Sequence, residues 1–136
     1  MRLKDTSEAA FAAFPIFPKE WERAEPRDIW KARKFIEEHS AEHLSLGKVA
    51  KAVGINATHL SEKFKQVTGR KFVDYVARIR FEAAGKLLED VDLRISEIAF
   101  AVGFQSLSQF NRVFKKLSGK SPSEYRAVYL KRRKRR

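Results

Sequence analysis

Near its C-terminal end the sequence holds four polar side chains at helical spacing, Ser108, Asn111, Arg112 and Lys115. Phe110, Val113, Phe114 and Leu117 fall on the opposite side of the same helix. A helix of this pattern buries its apolar stripe and turns its polar stripe outward. That outward chemistry suits the edges of base pairs. An arginine such as Arg112 can bond guanine O6 and N7 with two parallel N–H groups, and an amide such as Gln109 or Asn111 can do the same for adenine. Leu107 and Ser108 complete the candidate base-reading set, while Lys115, Lys116 and Lys120 are placed as phosphate contacts. Ser106 reads as the cap of this helix rather than as a reader.

A matching stretch lies fifty residues earlier. Leu60, Phe64 and Val67 point inward, leaving Thr58, Ser61, Glu62 and Lys65 outward. Thr58, Ser61 and Glu62 are its candidate base contacts, and Lys63, Lys65, Arg70 and Lys71 its candidate phosphate contacts. Glu62 stands in the register of Arg112. An acid there could accept a hydrogen bond from cytosine N4 or simply be repelled by phosphate, and implies a weaker or different readout by this copy.

The elements that position these side chains are helices, because apolar residues recur every three or four positions and strict alternation is absent. A first helix carries Ile29, Ala32, Phe35 and Ile36, with Pro26 in its first turn. Ser45 caps a short second helix that ends at Gly54. A third runs from about Asn56 to Thr68, followed by Gly69. The fourth, Phe72 to about Leu88, places Val76, Ile79, Ala83 and Leu87 inward, and Gly85, where exposed, weakens it by about 1 kcal/mol relative to alanine. The segment Val49–Ile55 is echoed by Ile98–Phe104, Phe64–Gly69 by Phe114–Gly119, and Tyr75 by Tyr125. The offset grows from 49 to 50 residues, so the second copy has one extra residue near the start of its second helix. Ser106–Gln109 and Ser121–Glu124 have capping-box form, with Pro122 at a first helical position, and mark a sixth helix over about 107–117 and a seventh over about 122–130. Each copy is thus a short helix of small residues, a glycine turn and a longer helix: a duplicated helix-turn-helix.

Charge agrees with a polyanionic partner. The 136 residues carry 29 Lys plus Arg against 17 Asp plus Glu, a net charge of +12. The excess is concentrated at the end, where residues 106–136 hold 11 basic groups and the single acid Glu124. Six of these form the run 131–136, which includes Arg132 and Arg133 and reads either as a solvated tail or as a phosphate-binding arm. Other chemistry is poorly served. Cysteine is absent, excluding disulfides, thiolate metal sites and thiol nucleophiles. His39 and His43 are four apart but lack the His-Glu-x-x-His order, and near a helix end they suit solvent or the helix dipole better than a metal. No catalytic constellation or cofactor motif is present, so neither an enzyme nor a cofactor is expected. The apolar run 9–17 is short and interrupted by Pro15, which makes a poor signal peptide and points to a cytoplasmic protein with no membrane association. Phe11, Phe14, Ile16, Phe17 and Trp21 are too apolar for a free linker, while Pro15 and Pro18 forbid one continuous helix. A segment of about 24 residues is also too short to enclose an effector.

The ordered run Ile95–Ala99, Val102–Phe104, Ser108–Lys116 and Gly119–Arg126 resembles the paired helix-turn-helix DNA-binding domain of AraC/XylS-type transcriptional regulators. The likeness covers about residues 28–130, including Arg78–Ala84 and Leu87–Leu88. It implies an all-α, tandem homeodomain-like fold of seven helices in two lobes. The corresponding division is an extension over 1–24, a first lobe over 25–70, a linker helix over 71–90, a second lobe over 91–130 and a basic tail over 131–136. The resemblance further implies double-stranded DNA as partner, one recognition helix from each lobe in neighbouring major-groove segments, and activation through RNA polymerase. A fourth helix of about 17 residues spans about 25 Å; with a lobe at each end, it is compatible with recognition helices one DNA turn, about 34 Å, apart. A monomer would then read an asymmetric site. Arg78, Arg80 and Glu82 on the linker are expected in ion pairs between lobes. The competing expectation is an accessory nucleic-acid binder whose affinity comes mainly from the tail.

Overall fold

A computed structural model describes residues 25–134. The aromatic segment containing Phe11 to Trp21 and the last two arginines lie outside the described residues. Within them the regular structure is seven helices: α1 (Arg27–His39), α2 (Leu46–Val53), α3 (Ala57–Thr68), α4 (Phe72–Leu87), α5 (Ile95–Ala101), α6 (Leu107–Ser118) and α7 (Pro122–Lys134). The chain divides into two compact units, Met1–Ile79 and Arg80–Arg136, which part inside α4.

In the first unit Pro26 is the N-cap of α1 rather than a residue of its first turn. Its backbone is extended (φ −57°, ψ 144°), and its carbonyl accepts from the N–H groups of Ile29 and Trp30 at 3.1 and 3.0 Å. Ser45 Oγ accepts from the Lys48 N–H at 3.1 Å to start α2, and Asn56 Oδ1 accepts from Thr58 and His59 N–H at 2.8 and 3.2 Å to start α3. Between them Gly54 ends α2 at φ +79°, a left-handed conformation that glycine adopts without the Cβ penalty. The core they enclose consists of Ile29, Ala32, Ile36, Val49, Ala50, Leu60, Phe64, Phe72, Tyr75 and Val76. Each large side chain buried in this way stabilises the fold by roughly 1.5–3 kcal/mol.

A charged pair enters the first unit's interior. Arg33 is 2 % exposed, and its Nε and Nη2 donate to the two oxygens of Glu25, both at 2.8 Å. Its Nη1 donates to Glu37 Oε2 at 3.3 Å, which also accepts from the Tyr75 hydroxyl at 3.4 Å. Burial opposes the Arg33 charge, but Glu25 and Tyr75 outweigh it and raise the guanidinium above its ordinary value.

The second unit repeats the plan. Its core is Ala84, Leu88, Ile98, Ala99, Val102, Phe104, Phe110 and Phe114. Tyr125 meets Phe114 edge-on at 5.2 Å and 83°, as Tyr75 meets Phe64 at 5.1 Å and 85°. The turn between α5 and α6 passes through Gly103 at φ +111° and runs over five residues against three between α2 and α3, because α5 stops one residue before its counterpart and one residue is inserted. The surplus residue therefore sits in the turn, at the position of Gln105. Ser121 and Glu124 form a complete capping box at α7: Ser121 N–H donates to Glu124 Oε1 at 2.8 Å, and Glu124 N–H to Ser121 Oγ at 3.2 Å.

Two expectations from periodicity need correction. Ala83 is exposed, whereas Ala84 and Leu88 are fully buried. The helix α4 serves two cores, and its buried face advances by one position after Ile79, which a single apolar stripe does not anticipate. The last helix also runs on to Lys134 instead of stopping near 130, so Lys131 to Lys134 are helical rather than a free run. Their cations sit in the last turn, where the helix dipole favours positive charge.

Candidate nucleic-acid interface

Both long helices that follow a glycine turn present the polar stripe expected of them. On α6, Leu107, Ser108, Asn111, Arg112, Lys115 and Lys116 are exposed while Phe110 and Phe114 are fully buried. On α3, Thr58, Ser61, Glu62 and Lys65 are exposed over the buried Leu60 and Phe64. The register is fixed at both ends of each helix by the same devices. Asn56 and Ser106 cap the starts. At the ends, Gly69 (φ +77°) and Gly119 (φ +82°) turn the chain. Thr68 Oγ1 and Ser118 Oγ each donate at 2.7 Å to the carbonyl four residues back, Phe64 or Phe114. The same hydroxyls accept from the N–H of Arg70 and Lys120, both at 3.1 Å. Arg70 and Lys120 are thereby held at equivalent places, directly after the two exposed stripes. Arg70 is half-buried, and Lys71 and Lys120 are exposed.

Two of the selected residues have other work in the free protein. Lys63 Nζ donates to Asp28 Oδ2 at 2.9 Å, a partly buried ion pair that ties α3 to the first turn of α1. Burial pushes the Asp28 carboxyl up, but the Lys63 ammonium and the Ile29 N–H together hold it below its ordinary value. Spacing alone placed Lys63 near the outward face because lysine is usually solvated; its partner is 35 residues away in sequence. Gln109 is half-buried, and its Oε1 accepts from the Gln105 N–H at 3.0 Å while its own N–H donates to Ser106 Oγ at 3.0 Å. The capping box at α6 therefore closes one residue earlier than its sequence form implies, on the surplus residue of the turn, and Gln109 serves as a cap.

His59 and Gln66, outside the set predicted from spacing, are also exposed on α3. Their signal was the repeat itself, since they stand fifty residues before Gln109 and Lys116. Gln66 lines a cleft of about 640 Å³ beside α3, together with Leu46, Ser61, Glu62, Lys65, Lys71, Phe72 and Val73. At the far end of the chain, Arg132 and Arg133 are exposed on α7, next to a shallow hollow of about 530 Å³ formed by Ala127, Leu130, Lys131, Arg133 and Lys134. Glu124, the sole acid after Phe104, is engaged by its capping box. The Ser121 N–H, then the Ser121 hydroxyl and the charges of Lys115 and Lys120, hold its carboxyl below the ordinary value.

His39 Nδ1 bonds the Phe35 carbonyl at 2.8 Å and its ring stacks on Phe35 at 4.1 Å, at the end of α1. Among the described residues no group of three or more His, Cys, Asp or Glu could hold a metal ion, and no helix is long and apolar enough to cross a membrane.

Comparisons with known proteins agree with this geometry. Residues 49–127 match the family model described as a helix-turn-helix domain. An uncharacterized HTH-type transcriptional regulator, YijO of Escherichia coli strain K12, is 38 % identical over 97 residues, covering 71 % of this chain and 34 % of that protein. The xylose operon regulatory protein of the same strain is 34 % identical over 100 residues, covering 74 % of this chain and 26 % of that one. The chain thus spans about a third or less of the length of these relatives. Among solved structures, the C-terminal domain of AraT, a response regulator from Geobacillus stearothermophilus, superposes with a TM-score of 0.73 at 35 % identity, covering 76 % of this chain and 86 % of that one. The DNA-binding domain of the global transcriptional factor AdpA, solved in complex with a target DNA, gives a TM-score of 0.74 at 26 % identity over 79 % of this chain and 97 % of that one. With its duplicated helix-turn-helix, its two exposed polar stripes and these relatives, the chain belongs to the AraC-type helix-turn-helix family of DNA-binding transcriptional regulators.

Proposed function

We propose that this chain binds duplex DNA sequence-specifically as a monomer, inserting α3 and α6 into adjacent major-groove segments, and that it activates transcription in the cytoplasm by contact with RNA polymerase. The observation that carries this reading is the paired exposure of Thr58, Ser61 and Glu62 on α3 and of Leu107, Ser108, Asn111 and Arg112 on α6, each above a fully buried phenylalanine. These side chains are the base readers, with Arg112 bidentate to guanine and Asn111 available to adenine. Lys65, Arg70, Lys71, Lys115, Lys116, Lys120, Arg132 and Arg133 hold the phosphates and set the salt dependence. We leave Lys63 and Gln109 out of this contact set, since Lys63 Nζ bonds Asp28 and Gln109 Oε1 bonds the Gln105 N–H.

Equilibrium binding to the preferred duplex and to random duplex, over a range of salt, tests the division of labour. Arg112→Ala should lower affinity for the preferred duplex by about five- to 150-fold and for random duplex far less. Removing residues 131–136 should weaken both alike. Equal losses on the two duplexes for both variants would instead mark an accessory binder whose affinity comes from its basic end.

A further inference from the structure

The two recognition helices are superposable in register yet carry opposite charge at their centres. Each has twelve residues, and Glu62 and Arg112 are both the sixth. Each stands in the middle of an exposed stripe, Thr58–Glu62–Lys65 on α3 and Ser108–Arg112–Lys115 on α6. The rotation of α3 about its axis is set by its Asn56 cap, its buried Leu60 and Phe64, and the Lys63–Asp28 bond at 2.9 Å. Lys63, the cation next to Glu62 in sequence, is therefore turned away to α1. The cations on this side, Lys65, Arg70 and Lys71, lie toward the C-terminal end of α3 and beyond it. A helix-turn-helix recognition helix offers the outward residues of its N-terminal half to base edges, and Glu62, sixth of twelve, is among them.

A carboxylate in that central place can only accept hydrogen bonds. Among major-groove base edges, donors are found only on the exocyclic amines of cytosine and adenine. Adenine sets its N7 acceptor beside the amine, and that acceptor repels a carboxylate, whereas cytosine offers N4 without such a neighbour on the same base. Resting on the DNA-binding reading above, we propose that Glu62 is a specificity-determining residue that selects cytosine in the half-site read by α3. The two half-sites then differ at corresponding places, guanine under Arg112 and cytosine under Glu62, and are not interchangeable.

Selection of duplexes from a random pool by the intact chain and by Glu62→Gln tests this, with circular dichroism confirming that the exposed substitution leaves helicity unchanged. The intact chain should enrich one cytosine in the α3 half-site by about tenfold over other bases. Glu62→Gln should lose that preference and gain adenine, which a carboxamide bonds at N6 and N7, with the α6 half-site unaltered. If Glu62→Gln selects the same bases and simply binds every duplex more tightly, Glu62 acts by repelling phosphate and the assignment is overturned. If the intact chain enriches no sequence at all, the underlying DNA-reading proposal fails with it, a result distinct from loss of the single cytosine.

Discussion

Replacing Arg33 by alanine should damage the first unit more than any surface change. The guanidinium is 2 % exposed, and the side chain of Glu25, its bidentate partner at 2.8 Å, is fully buried. Removing the arginine leaves that carboxylate buried without a counter-charge, whereas Glu37, at 38 % exposure, can turn to solvent. Breaking a buried pair from one side costs about 3–5 kcal/mol. With a urea slope of about 1.5 kcal/mol per molar, the unfolding midpoint should fall by roughly 2–3 M. Replacing both partners by apolar residues of similar size, Arg33→Met with Glu25→Leu, removes the stranded charge and should recover most of the loss. Denaturation gives the midpoints, and native-state hydrogen exchange locates the effect: amides of α1 and α3 should lose protection while those of α6 keep theirs. A loss below about 1 kcal/mol for Arg33→Ala, or equal losses for the single and double variants, would refute the view that the cost is an uncompensated Glu25 charge.

Three further outcomes follow from the same geometry. Gly85→Ala should stabilise the protein by about 0.5–1 kcal/mol in thermal melts, because a Cβ there meets only the end of the Tyr125 side chain, its hydroxyl at 3.6 Å and Cζ at 4.0 Å, ordinary contacts in a helix that glycine weakens. Gln109→Ala should cost about 1 kcal/mol through loss of its cap to Gln105 and leave base preference in selected sites unchanged; an altered preference would restore it as a reader. The Asp28 carboxyl titrates below its ordinary value in the folded chain, so the Lys63 tie contributes stability above about pH 4 and loses it as pH falls through the folded value. Lys63→Met should remove that part of the acid dependence and bring the Asp28 titration, followed by NMR, upward.

Much of the fold was legible because local and repeated signals coincide. Ser45, Gly54, Asn56 and Gly69 bracket α2 and α3, and the second copy restates the pattern with Gly103, Ser106 and Gly119. The inward phenylalanines Phe64 and Phe114 gave the outward stripes of both long helices by elimination. What stayed hidden depends on partners distant in sequence or on a helix with two clients. Asp28 is far from Lys63 along the chain, so periodicity could not remove that lysine from the exposed set. Ala83 and Ala84 look alike in the sequence; only the change of core along α4 decides which is buried. The basic run read as a tail because like charges repel, while the dipole of α7 accepts them in its last turn.

Whether α3 and α6 read two adjacent major-groove segments is decided by selection of bound duplexes from a random pool by the intact chain, followed by footprinting on the enriched sequence. The enriched site should be non-palindromic, with two different blocks spaced by about one helical turn, roughly 10–10.5 base pairs, and both major-groove faces protected on one side of the duplex. Enrichment of a single block, a palindrome, or no sequence beyond general affinity that vanishes with salt would contradict it.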